Sequence, residues 1–273
     1  MSTLEMSTEV SPLTDAEFDL FRSMIYEAAG ISLSPIKKAL VAGRLSKRVR
    51  HYSLSSYGDY FNLVKSDSNG EFQIAVDMLT TNETFFFREP KHFNFLRQHV
   101  FPDWRNGPRR IWSAASSTGE EAYTLAMMLA EHSPTGSWEI VGTDISTRVL
   151  DVARSGHYPM ARTKDIPKVY LKKYCLKGVG SQEGTFIIGP EIKPKVSFTH
   201  ANLNNNLSQL ASFDVIFLRN VMIYFDMETK KHVVSQLVRQ LKPGGYFMIG
   251  HSESLNGITD AVEAVAPSIY RKA

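Results

Sequence analysis

The sequence has almost no cysteine and no long apolar run, and each absence excludes a class of protein. With Cys175 as its single cysteine, the chain cannot form an internal disulfide, so nothing calls for an oxidising compartment. No apolar run approaches the roughly 20 residues that cross a bilayer. The first residues also lack the basic and apolar regions of a signal peptide. We therefore expect a cytoplasmic protein with no direct membrane insertion.

The composition is that of an ordinary globular protein, but its charge is unevenly distributed. The 273 residues are 43% hydrophobic and 22% charged, enough for one large domain or two modest ones. The net charge is only +3. However, residues 1–27 contain six acids and one base, whereas residues 28–58 contain six bases and no acid. This asymmetry predicts an anionic partner for the basic segment.

Residues 13–80 show only helical patterns, after a segment, 1–12, that we predict to be flexible. Four helices are predicted: one capped by Thr14-Asp15 and ended by Gly30, one opened by Ser34-Pro35, and two near 56–65 and 70–80. Ser34-Pro35 is typical of a helix start, and the helix it opens carries the basic segment. At 100° per residue, Lys37, Arg44 and Arg48 lie within about 40° of one another. This stripe either contacts a partner or is simply a solvated basic face.

From residue 109 the chain alternates strands and helices, which is typical of a doubly wound α/β sheet. Five strands are predicted, with an edge strand at Ser268–Arg271. Glycines and prolines interrupt the alternation at 170–199, which indicates a small antiparallel β-subdomain inserted in this domain. The fold class is thus α/β, with an all-helical N-terminal domain at 13–80. A linker at 81–108 precedes the sheet domain at 109–273.

Polar residues follow the predicted strands, where open α/β sheets bind ligands. Asp144 ends the second strand, where a carboxylate holds the two hydroxyls of a ribose. Asn202 ends the third, and Arg219-Asn220 the fourth. Taken singly, Asp144 and Glu120 could equally be a turn acid and a helix-start charge. Together these residues outline a nucleoside site.

The loop after the first strand narrows the choice of nucleoside. It has one glycine, Gly119, two acids and no lysine, so it lacks both glycine-rich phosphate motifs. Such a loop favours a ligand with a positive amine over a pyrophosphate. S-adenosylmethionine has a ribose, an adenine, an ammonium and a cationic sulfonium, and fits this description.

At this point four strings, in this order, resemble one family. They are the segments 80–89 (TTNETFFFRE), 112–121 (WSAASSTGEE), 219–226 (RNVMIYFD) and 250–253 (GHSE). They are similar to the chemotaxis receptor methyltransferases, the CheR family, and the resemblance extends over residues 13–272. It implies S-adenosylmethionine-dependent methylation of glutamates on the cytoplasmic helices of chemoreceptors, with S-adenosylhomocysteine as the product. It also implies a helical domain, a class I methyltransferase domain and an inserted β-subdomain.

Position by position, the resemblance assigns roles to individual residues. It places the catalytic positioning groups at Arg88 and Tyr224 and receptor contacts on the basic helix at Lys37, Arg44, Arg48 and Arg50. The cofactor contacts fall on Asn82, Thr84, Arg88, Glu120, Asp144, Ile145, Asn202, Leu203, Arg219, Asn220 and Tyr224. Glu83 departs from the apolar or small residue expected between Asn82 and Thr84.

Gly178 and Gly180, in a full-length loop, resemble the β-subdomain of family members that bind a peptide at a receptor's C-terminus. Other members lack this tether, so both possibilities stay open here.

Two other functions compete with receptor methylation. One is a nucleic-acid methyltransferase steered by the basic segment, but a charge of +3 is weak for polyanion binding, and we expect no nucleic-acid partner. The other is a receptor-docking module without turnover, against which Arg88, Glu120, Asp144 and Tyr224 argue. The eight histidines show no metal-ligand spacing, so we predict no metal. We expect a monomer.

Overall fold

The computed structural model describes residues 10–104, 107–133, 136–210 and 212–273. Internal contacts divide the chain into two compact units, one ending at Thr81 and the other beginning at Asn82. Most of the segment predicted to be flexible, residues 1–9, lies outside the described residues. No helix in the described ranges is long and apolar enough to cross a membrane.

From residue 10 onward, where the structure describes it, the first unit contains four α-helices close to the predicted positions. Thr14 begins the first helix with a capping box: its hydroxyl accepts from the N–H of Glu17, and the Glu17 carboxylate accepts from the N–H of Thr14. A 3-10 turn, Pro35–Lys37, precedes the second helix. The helices are α1 (Asp15–Ala29), α2 (Lys38–His51), α3 (Tyr57–Lys65) and α4 (Glu71–Leu79).

The core of the first unit is mainly apolar, and it also contains a completely buried acid. Phe21, Ile25 and Leu45 are completely buried, and the Phe21 ring stacks on Tyr60 with centroids 6.1 Å apart. Glu71, the first residue of α4, is also completely buried. Glu71 bonds a residue of the basic helix, and these contacts are described with the candidate site.

In the second unit, the described residues form five α-helices and ten strands. The helices are α5 (Pro90–Phe95), α6 (Glu120–His132), α7 (Thr147–Ser155), α8 (Lys168–Tyr174) and α9 (Met227–Gln240). The strands are β1 (Arg109–Ala114), β2 (Trp138–Asp144), β3 (His157–Pro159), β4 (Cys175–Lys177), β5 (Thr185–Ile188), β6 (Val196–His200), β7 (Phe213–Leu218), β8 (Leu241–Ile249), β9 (Glu263–Ala266) and β10 (Ile269–Arg271).

Seven strands form one sheet in the order β6-β2-β1-β7-β8-β10-β9. The five from β6 to β8 are parallel, and β10 and β9 are antiparallel additions. The chain runs outward from β1 through β2 to β6 and then returns to β7 on the other side of β1. This reversal makes the carboxyl ends of β1 and β7 the expected ligand crevice. All six residues of β7 are buried, as expected of a covered parallel strand.

The predicted fold class is confirmed, but several local details of the structure differ from the expectations. The last strand, β10, is not at the edge, because β9 pairs outside it. The four residues of β9 are exposed or half-exposed, so they lack the alternation of buried and exposed residues that is typical of a strand. Part of the predicted linker 81–108 forms α5, followed by a π-helical turn, Leu96–Val100. The strand β8 begins at Leu241 and includes the Lys-Pro-Gly-Gly segment.

The inserted β-subdomain is a separate antiparallel sheet in the order β3-β5-β4. Its first strand, β3, lies before the predicted range 170–199. The sequence did not predict this strand, because three residues are too few to show a strand pattern. The N–H of Ile188 donates to the carbonyl of Gly156 at 2.9 Å. The insert therefore leaves and rejoins the main domain at adjacent points.

Candidate active site

Asp144 lies at the carboxyl end of β2 with its orientation fixed by backbone groups. Its two carboxylate oxygens accept from the N–H groups of Ser117 and Ser146, at 2.8 and 2.9 Å. The side chain is nearly buried, at 6% exposure. These two bonds fix the direction of the carboxylate at the end of the strand, where such a group binds the hydroxyls of a ribose in α/β sheets.

Glu120 begins α6 and is completely buried. Its Oε2 accepts from the Thr118 hydroxyl at 2.6 Å, but its Oε1 has no hydrogen-bond partner among the described residues. Burial raises the pKa of Glu120, and the hydroxyl of Thr118 and the charge of Arg162 only partly oppose this. A buried oxygen without a donor costs free energy, so its position indicates a ligand that donates there.

Gly119, immediately before α6, is required by both backbone and space. Its φ is +92°, and a Cβ there would lie 2.9 Å from the Cβ of Ala153 and 3.0 Å from the Phe198 ring. Only glycine meets both conditions without displacing its neighbours. The tight turn that follows β1 thus brings the first turn of α6 close to Asp144.

The segment 82–89 contributes the first predicted residues and packs against the same loop. The carbonyl of Asn82 accepts from the Ser117 hydroxyl at 3.0 Å, and the carbonyl of Thr84 accepts from Arg162 at 2.6 Å. These contacts bring Asn82 and Thr84 close to the loop that carries Glu120 and to Asp144.

Arg88 is half-buried, and its guanidinium lies over the Phe85 ring, 5.6 Å from the centroid. It donates to the carbonyl of Glu83 at 2.9 Å. The Glu83 side chain is exposed, which explains why an acid is tolerated there. Of the three phenylalanines before Arg88, Phe86 is completely buried and Phe87 packs in the core. Phe85, at 37% exposure, is the one that remains accessible to a ligand.

Arg219, at the end of β7, is surrounded by acids. Its side chain is only 2% exposed and donates to Glu121 at 2.7 Å and to Glu89 at 2.9 Å. It also donates to the carbonyl of Arg88 at 2.6 Å. These bonds fix the segment 82–89 against β7, which is a positioning role in addition to the predicted cofactor contact.

The remaining predicted cofactor residues lie at neighbouring strand ends. The N–H of Ala201 donates to the carbonyl of Asp144, which brings the residues after β6 next to those after β2. Leu203 is nearly buried, whereas Ile145, Asn202, Asn220 and Tyr224 are half-buried. Tyr224 ends a 3-10 turn, Met222–Tyr224, after β7.

Several residues that build this site were not predicted from the sequence. Glu89 and Glu121 hold Arg219, and Glu253 accepts from the N–H groups of Asn220 and Gly250. All three stand inside the four strings that resemble the family, so the signal was present without a role attached. Arg162 is the exception, because a single arginine in a glycine- and proline-interrupted region carries no recognisable pattern.

Glu89, His92 and His251 bring three potential metal-ligand atoms within 4.8 Å of one another. Burial, together with the charge of Arg219, lowers the pKa of His92 to about 3, so this ring is neutral. Burial works to raise the pKa of Glu89, but the hydrogen bonds and charge of Arg219 outweigh it and the pKa is lowered. The guanidinium is thus the counter-ion that the structure gives this carboxylate.

The basic helix α2 divides into exposed bases and bases with internal partners. Arg48 donates to Glu71 from both Nε and Nη2, at 2.7 and 2.5 Å, and Arg44 donates to the carbonyl of Leu79 at 2.8 Å. The bases exposed along this segment are Lys37, Lys47 and Arg50, beside the exposed apolar residues Ile36 and Leu40.

The two glycines predicted to bind a receptor peptide lie in the loop after β4. A Cβ at Gly178 would lie 2.0 Å from the carbonyl oxygen of Gln182, whereas Gly180 has a φ of +59° and open space around it. Both glycines are therefore needed by the loop itself. Between them, Val179 is 79% exposed.

Comparison with known proteins matches both units. The family description "CheR methyltransferase, all-alpha domain" fits residues 16–80, and "CheR methyltransferase, SAM binding domain" fits residues 82–270. A chemotaxis protein methyltransferase of Escherichia coli (strain K12) is 41% identical over 98% of this chain and 95% of its own length. Chemotaxis protein methyltransferase 2 of Pseudomonas aeruginosa is 40% identical over 95% and 94%. Among solved structures, the chain is similar to the glycopeptide N-methyltransferase MtfA. The match covers 60% of this chain and 56% of the MtfA chain, with 15% sequence identity and a TM-score of 0.38.

Proposed function

Because the chain belongs to the CheR family of chemotaxis methyltransferases, we propose that it methylates glutamate side chains on the cytoplasmic helices of chemoreceptors. S-adenosylmethionine is the methyl donor, and the products are a glutamate methyl ester and S-adenosylhomocysteine. We place this reaction in the cytoplasm, where those helices lie, and assign it to a monomer.

The observation that carries this proposal is the pair of acids at the carboxyl ends of the parallel strands. Asp144 is oriented by two N–H groups, and Glu120 keeps a buried oxygen without a donor. The first suits the two hydroxyls of a ribose, and the second suits an ammonium. Both groups occur in S-adenosylmethionine, so the residues fit this molecule. Asn202 would face the adenine.

Bound S-adenosylmethionine supplies an electrophilic methyl group on a positively charged sulfur. The glutamate that receives it needs no general base, because a carboxyl with a pKa of about 4.3 is already ionised at neutral pH. The reaction joins an anion and a cation into neutral products, so water, which solvates separated charges, slows it. The protein's task is therefore to align the carboxylate and to exclude water.

We assign this task to three side chains. Phe85 offers an accessible apolar face, and Arg88 lies over it with a positive charge. We assign Arg88 to the substrate carboxylate or the cofactor and Tyr224 to positioning beside the methyl group. Arg219 keeps Arg88 in place through the hydrogen bond to its carbonyl. None of these groups needs to gain or lose a proton.

The proposal is tested with S-adenosylmethionine labelled in the methyl group and a receptor cytoplasmic fragment. We expect label on the fragment that alkali releases as methanol, since methyl esters hydrolyse and methylated amines do not. A fragment with alanine at the acceptor glutamates is the control and should take up no label. Alkali-stable label, label on added nucleic acid, or binding without any transfer would each refute the assignment.

We further propose that the exposed part of the basic helix docks an acidic receptor helix. The exposed bases Lys37, Lys47 and Arg50 stand beside Ile36 and Leu40, which gives both charge and apolar area for an amphipathic partner. Arg44 and Arg48 contribute positive charge to the same helix, although their guanidinium groups bond within the unit. Electrostatic attraction by such a patch raises the rate at which the two proteins associate more than it raises their affinity.

The docking proposal is tested by reversing single charges. Lys37→Glu and Arg50→Glu should slow receptor methylation and leave the affinity for S-adenosylhomocysteine unchanged. Lys65→Glu, an exposed lysine of the same unit on α3, is the matched control and should have little effect. Weakened cofactor binding in the first two variants, or equal slowing in all three, would contradict the docking role.

A receptor C-terminal peptide is the second partner that we propose, at the β-subdomain. The strand β4 lies at one edge of the small sheet. Leu176 within β4 and Val179 just after it are 51% and 79% exposed. An extended peptide can add to such an edge. Val179→Asp should abolish binding of a labelled receptor peptide, whereas Val265→Asp, on β9 of the large sheet, should not. Equal peptide affinity in both variants would exclude this site.

A further inference from the structure

Arg162 reaches from the inserted β-subdomain to the predicted cofactor site. It stands on a 3-10 turn, Met160–Thr163, between β3 and α8. Its Nη1 donates to the carbonyl of Thr84 at 2.6 Å and lies 3.4 Å from Oε1 of Glu120. Its side chain is 45% exposed, whereas that of Glu120 is fully buried. A cation from the insert thus stands at the mouth of a buried carboxylate.

Arg162 does not satisfy this carboxylate. Although the two charges lie 3.4 Å apart, Oε1 of Glu120 still lacks a hydrogen-bond donor among the described residues. Burial raises the pKa of Glu120 despite the nearby guanidinium. Among those same residues, the carbonyl of Thr84 is the one hydrogen-bond acceptor for Arg162. Most of its N–H groups therefore remain available to a ligand.

A carboxylate and a guanidinium side by side match the two charges of an α-amino acid. Such a molecule carries an ammonium and a carboxylate on one carbon, so each protein group faces the opposite charge of the ligand. Guanidinium groups bind carboxylates through two parallel hydrogen bonds. The other arginines of the site are engaged elsewhere: Arg88 donates to the carbonyl of Glu83, and Arg219 donates to Glu89 and Glu121.

We propose that Arg162 binds the α-carboxylate of the methionine part of S-adenosylmethionine while Glu120 binds its ammonium. This inference rests on the proposed function, because it assumes that the cofactor is S-adenosylmethionine. It assigns the inserted β-subdomain a role in cofactor binding as well as in docking. It also makes the carboxylate a determinant of specificity, so the protein discriminates against a decarboxylated cofactor.

The test measures, by titration calorimetry, the affinity for S-adenosylhomocysteine and for its decarboxylated analogue, S-adenosyl-3-thiopropylamine. The wild-type protein should bind S-adenosylhomocysteine about tenfold or more tightly, the ratio typical of one charge-assisted pair. Arg162→Gln keeps a donor for the carbonyl of Thr84 but loses the charge. It should lower the affinity for S-adenosylhomocysteine about tenfold and leave that for the analogue nearly unchanged.

Two further variants sharpen this result. Arg162→Lys restores the charge and should recover part of the selectivity. Lys164→Ala removes an exposed positive charge from the same segment and should behave as wild type. Thermal unfolding of each variant separates a change in binding from a change in folding.

Several outcomes would overturn the inference. One is equal loss of affinity for both ligands in Arg162→Gln, which would mean that the arginine only supports the segment around Thr84. Another is loss of selectivity in Arg88→Gln with none in Arg162→Gln. A wild-type protein without any selectivity overturns it even if the variants do not fold. By contrast, a wild-type protein that binds neither ligand refutes the proposed function itself.

Discussion

Two completely buried glutamates, one in each unit, have opposite surroundings. Glu71 accepts two hydrogen bonds from Arg48 and one each from the hydroxyls of Tyr52 and Tyr60. Glu120 accepts one from a side-chain hydroxyl and keeps Oε1 without a donor among the described residues. Both charges are removed from water, but only the first is compensated by the fold.

The difference separates structure from function. Burial works to raise the pKa of Glu71, but the bonds from Arg48 and the two hydroxyls outweigh it and the pKa is lowered. For Glu120, burial prevails and the pKa is raised. A buried carboxylate that the fold satisfies joins helices, whereas one that the fold leaves unsatisfied awaits a ligand. In this protein the first kind bonds Arg48 of the basic helix α2, and the second lies at the predicted cofactor site.

The largest expected effect is on the first glutamate. Glu71→Ala leaves Arg48 half-buried without its counter-ion. The free energy of unfolding of the first unit should therefore fall by about 3–5 kcal/mol. Urea denaturation followed by circular dichroism measures this. Glu27→Ala, an exposed glutamate of the same unit, should change it by less than about 0.5 kcal/mol. Equal effects of the two substitutions would mean that the Arg48–Glu71 pair contributes nothing.

The second prediction reverses the sign of the stability change. Glu120→Gln removes an uncompensated buried charge, so the protein without cofactor should become about 1–2 kcal/mol more stable. Its affinity for S-adenosylhomocysteine should fall about ten- to a hundredfold, because the ammonium loses an ionic partner. Unfolding and titration calorimetry provide the two numbers. A variant that is both less stable and unchanged in affinity would assign Glu120 to the fold.

Two tyrosines provide a smaller version of the same comparison. Tyr60→Phe removes a buried hydroxyl that bonds Glu71 at 2.8 Å and should cost about 1–2 kcal/mol of stability. Receptor methylation at a temperature where the variant is folded should be unaffected.

Tyr224→Phe should leave stability unchanged and lower the methylation rate without a new pH dependence near neutrality. An additional ionisation in its pH–rate profile would show that Tyr224 exchanges a proton.

The pH dependence of stability should distinguish the two glutamates most finely. Because the pKa of Glu71 is lowered in the folded state, its stabilisation is present above the ordinary value of 4.5 and is lost as the pH falls through the lowered value. Because the pKa of Glu120 is raised, its contribution is present below 4.5 and is lost as the pH rises through the raised value. Differences in unfolding free energy from Glu71→Gln and Glu120→Gln should thus change in opposite directions with pH. Parallel curves would contradict the comparison.

Local patterns in the sequence were enough to predict most of the fold. Helical periodicity before residue 80 and apolar strands after residue 109 predicted the four helices and the five parallel strands. The position of Asp144 after a strand predicted the edge at which the structure places it, because parallel strands end at one edge of a sheet. The family resemblance was confirmed by both family descriptions.

Pairings between distant residues could not be predicted in the same way. Spacing placed Arg48 on the same helical face as Lys37, but its partner Glu71 lies 23 residues away on another helix. Arg219 is held by Glu89 and Glu121, which are 130 and 98 residues away. Such contacts depend on the tertiary arrangement. The assigned roles of the site residues therefore remain predictions for the experiments above.

The joint of the insert has a consequence for how such a protein can diversify. The carbonyl of Gly156 and the N–H of Ile188 meet at 2.9 Å, so the 31 residues between them begin and end at almost one point. An exchange or loss of this module would leave the strand order of the main sheet untouched. Arg162 limits that freedom. Any descendant that replaces the module must supply an equivalent arginine or evolve a different hold on its methyl donor.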